Sequence, residues 1–181
     1  MTLQDAPVLE APPVRLRPFG YDDVPLVLSA GTDPHITAIT TVPTGDTEEG
    51  ARAYVDRQLA RPREGAGWSF AVADAATDEA VGQVGVWVQG LRDGRASVGY
   101  WTGPEHRGRG WAILALRTVS AWGLTLPGLH RLELYVEPWN EASWRAAERV
   151  DYQREGLLRG WQEVGGVRRD MYMYALLRGD A

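Results

Sequence analysis

The run Pro104-Glu105-His106-Arg107-Gly108-Arg109-Gly110-Trp111-Ala112 is where residue types and spacing point most directly to chemistry. It lies between a strand-like run, Arg95 to Trp101, and an apolar pattern of helical period, Trp111 to Trp122. Glycines let the main chain approach a ligand closely, and the N–H groups that open a helix face outward toward an anion. Arg107 and Arg109 add permanent charge in a planar fork, which suits a pyrophosphate better than a single phosphate. A glycine-rich tight turn with two solvated arginines would explain the same residues. Gly108, Gly110 and Ile113 do not complete G-x-G-x-x-G, so this is not a dinucleotide fingerprint.

Asn140-Glu141-Ala142-Ser143 is the second constellation, directly after the alternating run Arg131 to Glu137. Asn140 is a natural helix cap and Glu141 favours a first helical turn, so alone the tetrad explains only a helix start. A parallel crossover between the two runs changes that reading. It brings their C-terminal ends, and with them Trp101 and Asn140, to one edge of the sheet, so that both motifs face one crevice.

Other chemistries are excluded by composition. All 19 basic residues are Arg, which removes Schiff-base, Walker-loop and amine-nucleophile roles for Lys. Cys is 0, which removes thiol nucleophiles, disulfides and Cys-built metal sites, and the absence fits a reducing cytosol. His35, His106 and His130 share no ligand spacing, so no metal is expected. A formal charge of -5 gives no bulk attraction to nucleic acid or anionic lipid. No apolar run reaches the length of a membrane span and Met1 to Pro13 lacks the order of a signal peptide, so a cytoplasmic protein is expected, with homodimerisation left open.

The elements that must position these residues can be read along the 181-residue chain. Residues 1–13, with Pro7, Pro12 and Pro13, are expected to form a flexible arm, and 14–181 a single domain. Val14 to Phe19 predicts a strand, Asp22 and Asp23 cap a helix through Val24 to Leu28, and Gly31 to Gly45 reads as irregular. Thr47 opens a second helix that ends at Arg61-Pro62. Phe70 to Asp74, Val81 to Val88 and Arg95 to Trp101 predict an antiparallel meander. After the glycine-rich loop come a helix, the strand Arg131 to Glu137, a helix from Glu141 to Arg149, and a hairpin, Met171 to Leu177, with a Gly165-Gly166 turn. The order βααβββαβαβ predicts an α/β (α+β) fold with a mixed twisted sheet, an antiparallel N-terminal meander and a parallel βαβ crossover, flanked by helices.

Taken together the motifs resemble the GNAT superfamily of acyl-CoA-dependent N-acetyltransferases. Arg107, Gly110 and Ala112 match its R-x-x-G-x-G/A pattern. The resemblance is closer to the RimJ/RimL branch, named for ribosomal-protein N-terminal acetyltransferases, through Leu16-Arg17-Pro18, Gly99-Tyr100-Trp101, Asn140 with Ser143, and Gly166, Arg169, Asp170 and Tyr174. It covers about Val14 to Leu177 with the blocks in the right order. The chain departs from the branch at Leu114, where Glu is frequent, and at Asp151-Tyr152, where Gly-Phe is frequent. Ala147 stands where many GNAT enzymes carry a Tyr general acid.

The resemblance implies acetyl-CoA as cosubstrate and no metal, with Trp101, Thr102, Arg107, Gly108, Arg109, Gly110, Trp111, Ala112, Asn140 and Ser143 at the cofactor. It implies a main-chain N–H near Tyr100 to Thr102 on the thioester carbonyl, and the loss of Tyr at 147 shifts thiolate protonation to Ser143. Catalytic roles are expected for Ser143, Tyr100 and Glu137; Glu163 and Glu105 are further carboxylates, and all three acids also read as solvated charges. Trp87, Trp101, Trp139 and Trp144 lie nearest the crevice. At pH 7 an α-amine is about 10% neutral and a Lys amine under ~0.1%, so a chain with no evident base suits an α-amine acceptor. The expected reaction is direct acetyl transfer in a ternary complex to a peptide N-terminus. The alternatives are a small amine such as a polyamine or aminoglycoside, and a catalytically weak CoA-binding sensor.

Overall fold

The computed structural model describes residues 3–45 and 47–180. Strands β1 (Leu9–Ala11), β2 (Val14–Arg17), β3 (Gly67–Asp74), β4 (Ala80–Trp87), β5 (Arg95–Thr102), β6 (Arg131–Val136), β7 (Gln153–Val164) and β8 (Val167–Leu177) form one sheet in the order β1-β2-β3-β4-β5-β6-β8-β7. Among the described residues only β5 and β6 pair in parallel. Helices α1 (Val24–Gly31), α2 (Pro34–Ile39) and α3 (Glu48–Ala60) precede the meander, α4 (Trp111–Gly123) makes the β5–β6 crossover, and α5 (Glu141–Glu148) follows β6.

Side-chain alternation splits the sheet between two cores. Phe70, Val72, Val84, Val86 and Val98 point to the face covered by Ala115, Leu116 and Val119 of α4, whereas Ala71 and Trp101 meet Val27 of α1 and Tyr54 of α3. Each fully buried large side chain, such as Leu116 or Phe70, contributes about 1.5–3 kcal/mol.

Three features differ from the sequence expectation. Within the segment expected to be a flexible arm, β1 pairs antiparallel with β2 and Gln4 O accepts from Trp68 Nε1 at 2.8 Å. Within the stretch expected to be irregular, Asp33 Oδ1 accepts from the N–H groups of His35 and Ile36, capping α2 with Pro34 at its first position. The C-terminal hairpin is longer than Met171 to Leu177: β7 runs from Gln153, and the two-residue turn uses Gly165 and Gly166 at φ 58° and 78°. No helix among the described residues is long and apolar enough to cross a membrane.

Candidate active site

The site begins where the parallel ladder stops. β5 and β6 pair only at Arg95↔Arg131, Ala96↔Leu132 and Ser97↔Glu133. Beyond this point β5 stays paired with β4 as far as Thr102, and β6 with β8 as far as Val136. The facing edges, Val98 to Trp101 and Leu134 to Val136, therefore splay apart with their main-chain polar groups turned toward a cleft. An extended ligand bearing amide groups can bond to such edges as an added strand does.

Tyr100 and Ser143 bridge this cleft on the α4/α5 face. The Tyr100 hydroxyl lies 2.9 Å from Ser143 Oγ and 3.1 Å from its carbonyl oxygen. Burial pushes the Tyr100 pKa up, so the phenol is a neutral donor near pH 7. Ser143 is held by its place in the first turn of α5, where Asn140 Oδ1 accepts from Ser143 N–H at 3.2 Å. Ala147, one turn further along, is fully buried. Asn140 thus acts as a cap and also fixes a side chain at the cleft.

At the end of β5 the glycine-rich loop opens. Gly108 and Gly110 sit at φ 80° and 76°, and a Cβ built on either meets nothing within 4 Å, so both border open space. The first helical bonds of α4 run from Ile113 and Leu114 N–H to the Gly110 carbonyl. The N–H groups of Gly110, Trp111 and Ala112 are left without an acceptor among the described residues. An anion fits this loop. Arg109 lies over the Trp111 ring at 5.0 Å. Arg107 is not free, since Nη2 donates to Asp33 Oδ2 at 2.6 Å and Nε to the Thr102 carbonyl at 3.3 Å. Asp33 thereby ties α2 to the loop.

A cavity of about 640 Å³ joins the cleft to the face under α2 and α3. Tyr100, Trp101, Glu137, Asn140 and Ser143 all line it; Thr102, Trp111 and Ala112 border a small adjoining space, and Arg107 to Gly110 stand beyond both. Glu137 is 6% exposed, unlike the exposed Glu105 and Glu163, and is flanked by Arg169 Nε at 3.7 Å and His35 Nδ1 at 3.9 Å. Trp87 also lines the cavity; Trp139, 62% exposed, stacks edge-on against His35, and Trp144 does not line the space. Sequence reasoning missed Tyr54 and Gln58 of α3, Arg61 just beyond it and His35 of α2 as lining residues. The Asp33-Pro34 pair could have located α2, but nothing local marks which side chains of α3 turn to the cavity. Among the described residues no group of three or more His, Asp or Glu is arranged to hold a metal.

Comparison with known proteins agrees with this architecture. Residues 14–153 match the model of the acetyltransferase (GNAT) domain. The chain is 30% identical to N-acetyltransferase p20 of Bacillus licheniformis over 163 residues, covering 90% of this chain and 92% of the relative. RimJ of Mycobacterium smegmatis, solved in complex with CoA-disulfide, superposes with a TM-score of 0.79 at 26% identity, covering 96% of this chain and 87% of that one. A GNAT-family acetyltransferase of Bacillus anthracis gives a TM-score of 0.80 at 23% identity over 95% of this chain and 99% of its own. With the splayed parallel pair, the open glycine loop and these likenesses, the chain belongs to the GNAT family and is an acyl-CoA-dependent N-acetyltransferase.

Proposed function

We propose that the protein transfers the acetyl group of acetyl-CoA directly to the α-amine of a peptide N-terminus. The observation that carries this reading is the Tyr100–Ser143 hydroxyl pair set beside a cleft whose two walls are unpaired strand edges. The unbonded amides of Gly110 to Ala112 suit the pyrophosphate, with Gly108, Arg109 and the tethered Arg107 around it, and the edge of β5 suits the amide-bearing arm of CoA. Trp101 and Thr102 continue that edge and Trp111 begins the helix. Thioester carbonyl polarisation falls to a main-chain N–H in the Tyr100 to Thr102 segment.

When Tyr100 donates its single proton to Ser143 Oγ, the Ser143 proton is free to face the cleft and meet the departing thiolate. Glu137, which lines the same cavity, is placed to accept the proton that the amine loses, directly or through water. The absence of Cys and Lys favours direct attack over a covalent acyl-enzyme. RimJ and RimL proteins among the structural neighbours, together with the Gln-rich acceptor face of Gln58, Gln83, Gln89 and Gln162, support a peptide over a polyamine.

A thiol-release assay with a Ser-initiated peptide, its N-blocked form carrying one Lys, and spermidine tests the reading. Turnover of the first alone is expected. Turnover of spermidine alone would reject it, and tight acetyl-CoA binding without any turnover would identify a sensor.

A further inference from the structure

The acceptor half of the cavity holds a cation with no carboxylate partner. Arg61, just beyond α3, lines the space and makes no ion pair among the described residues; its Nε donates to Gln58 Oε1 at 2.8 Å. Its guanidinium stands 5.8 Å from the centroid of the Trp87 ring. That ring is itself built into the sheet: a Cβ on Gly85 would lie 2.9 Å from Trp87 Cζ2, and one on Gly99 3.0 Å from Cζ3, so the indole lies flat across two glycines. The platform is a constructed one, because any side chain at position 85 or 99 would displace it.

The surrounding charges leave Arg61 short of compensation. Burial, and then the Arg57 guanidinium, lower its pKa, which Tyr54 and Glu64 only partly offset. Glu133, whose partner Ser97 pairs with Trp87 in the adjacent ladder, is engaged by Arg131 Nε and the Tyr135 hydroxyl, each at 2.8 Å. A half-buried arginine with no acid at ion-pair distance among the described residues is matched by an anion arriving with a ligand.

That anion is not a CoA phosphate. The Trp87 ring reaches Gly99, and the glycine-rich loop begins past Thr102, three residues or about 10 Å further along β5. Gly99 is next to Tyr100, which is level with the proposed reaction point. We infer that Arg61 is a specificity-determining residue that binds an anionic group carried by the acceptor. The anion is either an acidic side chain close to the N-terminus or the terminal carboxylate of a short peptide. This assignment rests on the peptide-acceptor reading above.

The test uses Ser-initiated, amide-capped hexapeptides with Asp or Asn at position 2, 3 or 4, together with a Ser-initiated tripeptide as free acid and as amide. Asp at one of these positions should raise kcat/KM over Asn by about tenfold, mainly through KM. Arg61→Gln should erase the Asp/Asn ratio and Arg61→Lys should retain part of it. The ratio is taken within each variant, so a general loss of stability cancels. A preference confined to the free-acid tripeptide identifies the carboxylate terminus as the source and supports the same assignment. An equal rate for Asp and Asn peptides and for the acid and amide in the native protein would overturn the role of Arg61 alone, as would an Asp preference that survives in Arg61→Gln. Failure of the native protein to acetylate any peptide would overturn the peptide reading, and the assignment with it.

Discussion

The Tyr100 hydroxyl and Ser143 Oγ, 43 residues apart in sequence, meet at 2.9 Å across the gap between a strand and a helix. Ser143→Ala should lower kcat by about 10- to 1000-fold while acetyl-CoA affinity changes little, the pattern of an interaction made in the transition state. Tyr100→Phe should lower kcat by a smaller factor. The double variant should be little worse than Ser143→Ala, because the two hydroxyls act in series. Wild-type turnover in Ser143→Ala would assign the donor elsewhere.

Gly110→Val tests the loop. At φ 76° a β-branched residue is strained by about 1–2 kcal/mol, yet its Cβ meets no neighbour, so the variant should still fold cooperatively. Its side chain would enter the open space proposed for the pyrophosphate. Calorimetry should detect no acetyl-CoA binding, and unchanged affinity in the folded variant would remove the phosphate from this loop.

Asp33 supplies a pH-dependent contribution. Burial acts to raise its pKa, but the Ile36 N–H, the Arg107 guanidinium and the His35 N–H hold its carboxyl below the usual carboxylate range. A group whose folded pKa is depressed stabilises fully above its unfolded pKa, near 4, and loses that contribution as pH falls through the folded value. Asp33→Ala should therefore cost about 1 kcal/mol at pH 7. In denaturant melts the gap to the native protein should close as the pH is taken from about 4 toward 2. A gap that stays constant over that range would show that the cap is not titrating.

The buried Ser120–Tyr152 pair accounts for one departure from the RimJ/RimL pattern. Tyr stands where Phe is frequent there, and its hydroxyl meets Ser120 Oγ at 2.8 Å, with burial pushing the phenol pKa up. Tyr152→Phe strands a buried hydroxyl and should cost about 1–2 kcal/mol. Adding Ser120→Ala should recover much of that loss. Additive costs in the double variant would contradict the coupling.

The meander, the crossover and the loop were legible because alternation, helical period and glycine spacing are local signals. Strand β1 was not, since Pro7, Pro12 and Pro13 suggest a loose chain while the pairing of Leu9 with Leu16 depends on the register of β2. The exposed strand β7 carries little alternation and is specified by its partner β8. Arg107 read as a free cation because its acceptor, Asp33, is 74 residues away. The early end of the β5–β6 ladder was hidden for a related reason: Leu134 and Val136 keep alternating beyond Ser97↔Glu133, and a single-strand pattern does not reveal where a neighbour diverges.

Amide hydrogen exchange with and without acetyl-CoA tests most directly whether the splayed pair and the loop form the cofactor site. Without ligand the N–H groups of Gly110, Trp111 and Ala112, which have no acceptor among the described residues, should exchange rapidly. Saturating acetyl-CoA should slow exchange there and along Val98 to Trp101, with little change in the β7–β8 hairpin tip around Gly165 and Gly166. Unaltered exchange at both segments in protein that turns over acetyl-CoA would contradict the account.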